Sequence, residues 1–436
     1  MDVTVPRRAS LLLAALAVAA LAVPAVATMP DDPAVSAPEA VAASVVVSPK
    51  ALVADDPAVD DLAARVDAAL ATGTAHTIGA AVDVDGLGVV LRRDAGHALP
   101  PASTQKSFTA LAALLALPPG FRYTTEVATR AKPAAGRLPG SIWLVAGGDP
   151  YLTKSALHRM AQQVKAAGVR YVAADLLLDD SRYDARRRAQ GWKSDYVPDE
   201  AGPLSAMSIE QNRWRHDSAF LSDPALPAAQ LLRSYLKIEG VTIHGAIRRM
   251  RRPADATAIA RWQSGPLPAV LRRTLKDSNN FAAELVLKEV GKVVSGTPTS
   301  AGGHAAVRDV LSQHGVAAGT GTDGSGLSAY DRQTAAAQLA LLQAADASAV
   351  SADFRAALPV ACQDGTLEDR MCDTPAAGRV FAKTGTLPGV RALSGYTTTA
   401  SGRSVWFSFQ LTGISSGAKA RDAIDAAAVV LASADE

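Results

Sequence analysis

Ser103 and Lys106 stand three residues apart in Pro101-Ala102-Ser103-Thr104-Gln105-Lys106-Ser107-Phe108-Thr109, at the head of an apolar run from Leu111 to Leu117. If a helix opens at Ser103, the hydroxyl and the amine share one face. A serine hydroxyl is a weak nucleophile until a neighbouring base takes its proton. A lysine in a dry pocket can be that base, because desolvation lowers an amine's pKa. Ser-x-x-Lys alone recurs by chance in chains of this length. Two later stretches give it context. Ser278-Asn279-Asn280 lies between two helical patterns, where Ser and Asn also serve as ordinary helix caps. Lys383-Thr384-Gly385-Thr386 ends a strand-like run, where the bland reading is a strand entering a turn.

Other chemistry is poorly supported. Gly319-Thr320-Gly321-Thr322-Asp323-Gly324 fits Gly-x-Gly-x-x-Gly, but it follows a helical pattern and a short loop, so it reads as a Gly-rich turn. Of the seven histidines, His304 and His314 share a predicted helix but stand ten apart, which indicates no metal face. Ser325 is flanked as Asp323-Gly324-Ser325-Gly326-Leu327, not as a Gly-x-Ser-x-Gly elbow. No metal or cofactor is expected.

The elements that must position these residues are legible as periodicities. Apolar spacing predicts helices over 58–71, from Ser103 to Pro118, and over 154–167, 228–236, 268–276, 281–290, 301–314, 331–346 and 417–433. Strands are predicted over 78–84 and 89–93, joined as a hairpin across Asp85-Gly86-Leu87-Gly88, and over 123–129, 141–146 and 171–178. Further strands follow at 380–384, 392–399 and 405–411, the last alternating through Val405, Phe407, Phe409 and Leu411. The character changes near residue 121, and the block 121–264 reads as a mixed α/β insertion. The expected fold is α/β (α+β): one discontinuous domain, 58–120 and 265–436, with an antiparallel sheet and helices, interrupted by that insertion.

The chain has 436 residues, 48% hydrophobic and 20% charged, which is ample for a packed core and long enough for two domains. Its 44 basic and 42 acidic residues nearly balance, which argues against a dedicated nucleic-acid binder. The cluster Arg248, Arg249, Arg251 and Arg252 reads as a solvated strand end or loop. Arg7 and Arg8 precede an apolar run from Ala9 to Val23, and Ala25-Val26-Ala27 offers a small-x-small cleavage site, so 1–27 reads as a secretory signal. The alternative is an uncleaved membrane anchor. Residues 28–57, rich in Ala and Pro, read as a linker. Either way the body is expected outside the cytoplasm: secreted, periplasmic or cell-wall associated. There Cys362 and Cys372 would close a small loop; two free thiols are the alternative, and no nearby histidine supports a metal pair.

The motifs run in the order Ser-x-x-Lys, Ser-x-Asn, Lys-Thr-Gly, which is that of penicillin-binding proteins and serine β-lactamases. With Ala146-Gly147-Gly148-Asp149-Pro150, Asp323-Gly324-Ser325-Gly326-Leu327-Ser328 and Asp364-Gly365-Thr366-Leu367, the chain from about residue 58 onward resembles the D-Ala-D-Ala carboxypeptidase/endopeptidases of the class C, low-molecular-mass penicillin-binding proteins. The resemblance implies a transpeptidase-like domain, hydrolysis of the D-Ala-D-Ala bond of peptidoglycan stem peptides, and β-lactam antibiotics as acylating inhibitors. It implies Ser103 as nucleophile, Lys106 as base and Ser278 as proton relay to the departing amine. Asn280 would hold the substrate amide, Lys383 would supply positive potential, and Thr384 and Thr386 would bind the terminal carboxylate. The oxyanion would sit between the backbone N–H groups of Ser103 and Thr386. Asn279 departs from the Asp that many relatives carry there. The interval from Ser103 to Ser278 is shorter than in relatives with a third nested domain, which leaves endopeptidase activity open. The competing readings are a β-lactamase or esterase on the same fold, and a catalytically silent peptidoglycan-binding protein.

Overall fold

The computed structural model describes residues 57–212 and 223–435. The leader expected over 1–27 and the linker, except Pro57, lie outside the described residues. The central sheet joins both ends of this region. Strands β1 (Thr77–Val84) and β2 (Gly88–Arg93) form the predicted hairpin, and β11 (Phe381–Leu387), β12 (Val390–Thr398) and β13 (Ser404–Thr412) a meander. Their order is β11-β12-β13-β1-β2, antiparallel throughout, with Thr77 opposite Thr412 and Val84 opposite Val405. Phe407, Phe409 and Leu411 alternate onto a buried face, as the period of two requires. They meet helices α1 (Pro57–Ala71) and α10 (Gly417–Ser433), which bring Leu62, Val66 and Leu70 against Ile424 and Leu431.

The second core is built around α2 (Gln105–Ala116), whose residues from Gln105 to Ala113 are all buried. From Phe108 on it is apolar all round except for Thr109, which calls for burial, and α5 (Leu267–Lys276), α6 (Asn280–Ser295), α7 (Ser300–Ser312), α8 (Ala335–Asp346) and α9 (Ser351–Ala357) supply its surroundings. Ser103 does not open this helix. It lies in a preceding 3₁₀ turn, Ala102–Thr104, and the α-helix begins at Gln105. The helix predicted over 331–346 starts only at Ala335, because Thr334 caps it by accepting from the Ala337 N–H at 3.0 Å and Arg332 and Gln333 make β-bridges. His314 falls beyond the end of α7, so it shares no helix with His304.

Strands between 124 and 263 pair only among themselves. β3 (Thr124–Thr129), β5 (Ile142–Val145), β7 (Leu176–Asp179), β9 (Ile247–Arg249) and β10 (Thr257–Gln263) make a mixed sheet in the order β10-β3-β5-β7-β9. β4 (Arg137–Leu138), β6 (Tyr171–Val172) and β8 (Thr242–Ile243) make a small parallel one. Parallel neighbours need crossovers, and α3 (Lys154–Ala166) and α4 (Leu226–Ile238) provide them. The single strand predicted over 171–178 is two strands in different sheets. The chain crosses over at Ala173–Asp175, where the Asp175 carboxylate accepts from the Ala246 N–H at 2.8 Å. The fold class is thus the expected one, mixed α/β with an antiparallel sheet drawn from both ends and further sheets between. Three arginines of the cluster form ion pairs: Arg248 with Asp175, Arg249 with Asp180 and Asp223, Arg252 with Glu126.

Arg182 ties this intervening block to α6. Its guanidinium forks onto Glu289 at 2.6 and 2.9 Å, and the Tyr183 hydroxyl donates to the same carboxylate at 2.8 Å. Glu289 is wholly buried. Removing one partner strands a buried charge. Arg182→Ala should therefore lower unfolding free energy by about 3 kcal/mol in urea titration. Replacing the whole set with apolar residues, Arg182→Met, Tyr183→Phe and Glu289→Leu, should recover most of that loss.

Candidate active site

The turn carrying Ser103 is forced into shape by its neighbours. Ala102 takes a left-handed conformation, φ +48°, which L residues avoid. Gly326, at φ +84°, lies so close that a Cβ there would come 1.8 Å from the Ala102 oxygen, and one on Gly385 would come 2.8 Å from the Pro101 oxygen. The Thr104 hydroxyl donates to Pro101 O at 2.7 Å, closing the turn. Ala102 and Thr104 are buried while Ser103 between them is partly open.

One turn on, Lys106 is completely buried. Its Nζ lies 2.9 Å from Ser103 Oγ, 2.6 Å from Asn280 Oδ1 and 2.7 Å from the Ser325 carbonyl. The last two can only accept. In the neutral amine they take both N–H bonds and leave the lone pair facing the Ser103 hydroxyl. Burial lowers the Lys106 pKa to about 7, against the opposing pull of Asp323, Glu200, Asp331 and Glu284.

A second group forms around Lys383, also fully buried. Its Nζ donates to Ser278 Oγ at 2.9 Å and to Thr384 O at 3.0 Å. Burial, then repulsion from Lys106 and Arg370, pushes its pKa well below the ordinary lysine value. Ser278 sits at φ +51°, a second strained corner. Asn279 caps α6, its side chain accepting from the Ala282 N–H at 2.8 Å and donating to Gln211 at 2.6 Å. Asn280 opens the helix, donating to the Glu200 carbonyl at 3.1 Å and accepting from Lys106. The sequence-predicted residues therefore gather in two hydrogen-bonded sets, Ser103–Lys106–Asn280 and Ser278–Lys383–Thr384, with β11 against the Ser103 turn. Thr386 is exposed on β11 and lines a cavity of about 600 Å³ with Lys193, Tyr196, Glu200, Leu327 and Arg391. Cys362 and Cys372 are joined in a disulfide.

Several residues escaped the motif search. Asp323 is buried and accepts from the backbone of Ser325, Gly326, Leu327 and Ser328 and from the Ser325 hydroxyl and Trp192 Nε1. Burial would raise its pKa, yet hydrogen bonds from Asp331, Trp192, Gly326 and Ser325 hold it below the usual carboxylate range. Its neighbour Asp331 is driven up to about 10 by burial and by Asp323's charge, so the pair keeps one proton. Glu284, one helical turn after Asn280, accepts from the Gly324 N–H at 2.8 Å and is raised by burial to about 7. Gly324 O in turn accepts from Thr109 at 2.9 Å. These contacts fix the loop whose Ser325 carbonyl holds Lys106. The only sequence signal was the phrase Asp323–Ser328, read as family-like without a role. Among the described residues no cluster of three or more His, Cys, Asp or Glu is placed to hold a metal ion, and no helix is long and apolar enough to cross a membrane.

Comparison with known proteins gives a consistent set of matches. The profile of the D-Ala-D-Ala carboxypeptidase 3 (S13) family matches residues 62–219 and 215–434. The chain is 31% identical over 386 residues to the D-alanyl-D-alanine carboxypeptidase of Actinomadura sp., covering 70% of this chain and 72% of that one. It is 32% identical over 422 residues to carboxypeptidase DacB of Mycolicibacterium smegmatis, covering 91% and 89%. Penicillin binding protein 4 (dacB) from Haemophilus influenzae superposes with a TM-score of 0.74 at 24% identity over 82% of this chain and 97% of that one. The same protein complexed with a novel β-lactam gives 0.69 at 22% over 83% and 98%.

The protonation state of Lys106 is directly measurable. In protein labelled with ¹⁵N at lysine side chains, Lys106 Nζ should titrate with a midpoint near 7. Glu284→Gln removes a negative charge that favours the ammonium, so it should move that midpoint downward.

Proposed function

Because the chain belongs to the D-Ala-D-Ala carboxypeptidase 3 (S13) family and is a serine-type D-Ala-D-Ala carboxypeptidase, we propose that it works through an acyl-enzyme on Ser103 and is acylated by penicillin at the same atom. The observation that carries this reading is the Lys106 amine, buried, 2.9 Å from Ser103 Oγ, with both N–H bonds committed to Asn280 and Ser325. A base set near neutral pH in this way suits proton abstraction.

In the proposed cycle Ser103 Oγ attacks the carbonyl carbon of the penultimate D-Ala as its proton passes to Lys106 Nζ. The oxyanion is held by the N–H groups of Ser103 and Thr386, donors of a kind typically worth a few kcal/mol to the transition state. Collapse breaks the C–N bond. Ser278 gives its hydroxyl proton to the departing nitrogen and takes in return the proton that Lys106 carried from Ser103, while Lys383 Nζ, 2.9 Å away, holds the Ser278 oxygen and keeps its own proton. Asn280 also orients the substrate amide. Lys383, Thr384 and Thr386 receive the terminal carboxylate, whose charge compensates the buried lysine's ammonium. Water then releases the peptide and restores Ser103. A β-lactam follows the same first half and stalls as the ester.

The substrates proposed are peptidoglycan stem peptides, with cross-link cleavage as a further outcome of the same chemistry. An extracytoplasmic location belongs to this reading. It is supported by the Cys362–Cys372 disulfide, which suits an oxidising compartment, and by the leader-like pattern of 1–27.

Wild-type protein should form a stable adduct with fluorescent penicillin and release D-Ala from a stem pentapeptide. Ser103→Ala should form no adduct and lose at least about 10,000-fold in D-Ala release. The acid limb of kcat/KM should fall about tenfold per pH unit below about 7, as Lys106 becomes protonated. An undiminished adduct in Ser103→Ala would overturn the assignment of the nucleophile. Drug hydrolysed without an adduct would make the chain a β-lactamase.

A further inference from the structure

The loop closed by the disulfide lies against the site, and nothing above gives it a part in the reaction. Cys362 and Cys372 bound it, and three of its non-glycine residues or their neighbours, Cys362, Met371 and Asp373, hold left-handed conformations. Such conformations persist only where surrounding contacts over-determine them. Those contacts are present. Asp364 accepts from Lys276 Nζ at 2.6 Å and from the Val360 N–H at 3.0 Å, and the Cys362 N–H donates to Leu367 O at 2.9 Å. Gly365 is seated on the backbone of Lys276, where a Cβ would come 2.8 Å from its carbonyl oxygen. Arg370 pairs with Asp425 on α10. Val360 bridges to Phe381 at the start of β11. What this holds in place is Thr366, whose hydroxyl lies 2.7 Å from the Thr384 hydroxyl.

We propose that Thr366 is a positioning residue for recognition of the substrate's terminal carboxylate: its hydroxyl donates to Thr384 Oγ1 and thereby turns the Thr384 hydrogen toward the carboxylate. This rests on the reading of Thr384 as a ligand of that group. A hydroxyl has one hydrogen. If Thr384 spent its own on Thr366, it would present only lone pairs to an anion, which repel it. Lys383 Nζ, 3.5 Å from Thr384 Oγ1, is too distant to fix the hydroxyl by itself. Donation from Thr366 leaves the Thr384 hydrogen available and polarises it, because successive hydroxyl hydrogen bonds reinforce one another. The disulfide loop is thus an arm that sets the direction of one proton in the binding site.

The test uses two substrates on the whole protein: a peptidyl-D-Ala-D-Ala, and the matching peptidyl-D-Ala ethyl thioester, whose leaving group has no carboxylate. Thr366→Val should reduce kcat/KM for the first roughly tenfold, mainly through KM, the size expected for one hydrogen bond to a charged group. Turnover of the thioester should stay within about twofold, and Thr366→Ser should restore the first substrate. An equal loss on both substrates would mean that the valine substitution merely loosens the site, and the proposal falls. Thr384→Val is measured beside it. If that variant loses carboxylate-dependent activity while Thr366→Val does not, this inference alone is wrong. If Thr384→Val loses none, the carboxylate reading of Thr384 fails first and takes the inference with it.

Discussion

Two lysine amines, Lys106 and Lys383, are buried completely, and the partners that receive their hydrogens are carbonyls and hydroxyls. Water-free burial of an ammonium is costly unless a counter-charge is at hand. The protein meets that cost differently on each. Around Lys106 four carboxyl groups act from behind the loop 323–331 and the 200 region, close enough to moderate the amine's pKa but not to form an ion pair that would pin it as a cation. Around Lys383 the field is positive, from Lys106 and Arg370, and the counter-charge has to come from outside. One amine is therefore suited to taking a proton and the other to meeting an anion.

Much of the surrounding architecture follows from holding these amines in place. The Ser325 carbonyl reaches Lys106 because Asp323 gathers the N–H groups of its own loop, while Glu284 and Thr109 grip the Gly324 peptide from two helices. Trp192, from the block between β7 and α4, closes the same loop from the outside, and the Glu200 carbonyl orients Asn280. Through both contacts the intervening block is bonded into the site's support. The proton shared by Asp323 and Asp331 keeps that pair at a single negative charge, since two ionised carboxylates in contact without water would repel strongly.

The residue types proposed to do chemistry were legible because their spacing is local: Ser103 with Lys106, Ser278 with Asn280, Lys383 with Thr386. The helices and strands around them were legible from period alone, and so was the discontinuous fold. The misreadings share one cause, which is that tertiary contacts override local pattern. The run from Tyr171 to Leu178 is uniformly strand-like, yet the paths of Leu138 and Ala246 divide it between two sheets. Ser103 sits ahead of its helix because Gly326 and Gly385 press on the preceding backbone. The Ser325 and Glu200 carbonyls are main-chain groups, to which no residue type draws attention. Thr366 stood in a phrase already noticed, but its role depends on a partner in β11 that only the fold brings near.

The central sheet also has a consequence in time. β1 has two neighbours, β2 beside it in sequence and β13 near the opposite end of the described chain, with Thr77 opposite Thr412. The Ser103 turn needs β11 and Gly326 to hold it, and β11 reaches the N-terminal hairpin only through β12 and β13. Pairings this distant in sequence form late. While the polypeptide is being synthesised, everything up to α9 can emerge and still have no edge on which the sheet can close. Ser103 therefore acquires its setting only once β11 to β13 have emerged, and a shorter polypeptide carries a serine and a lysine but not yet an enzyme.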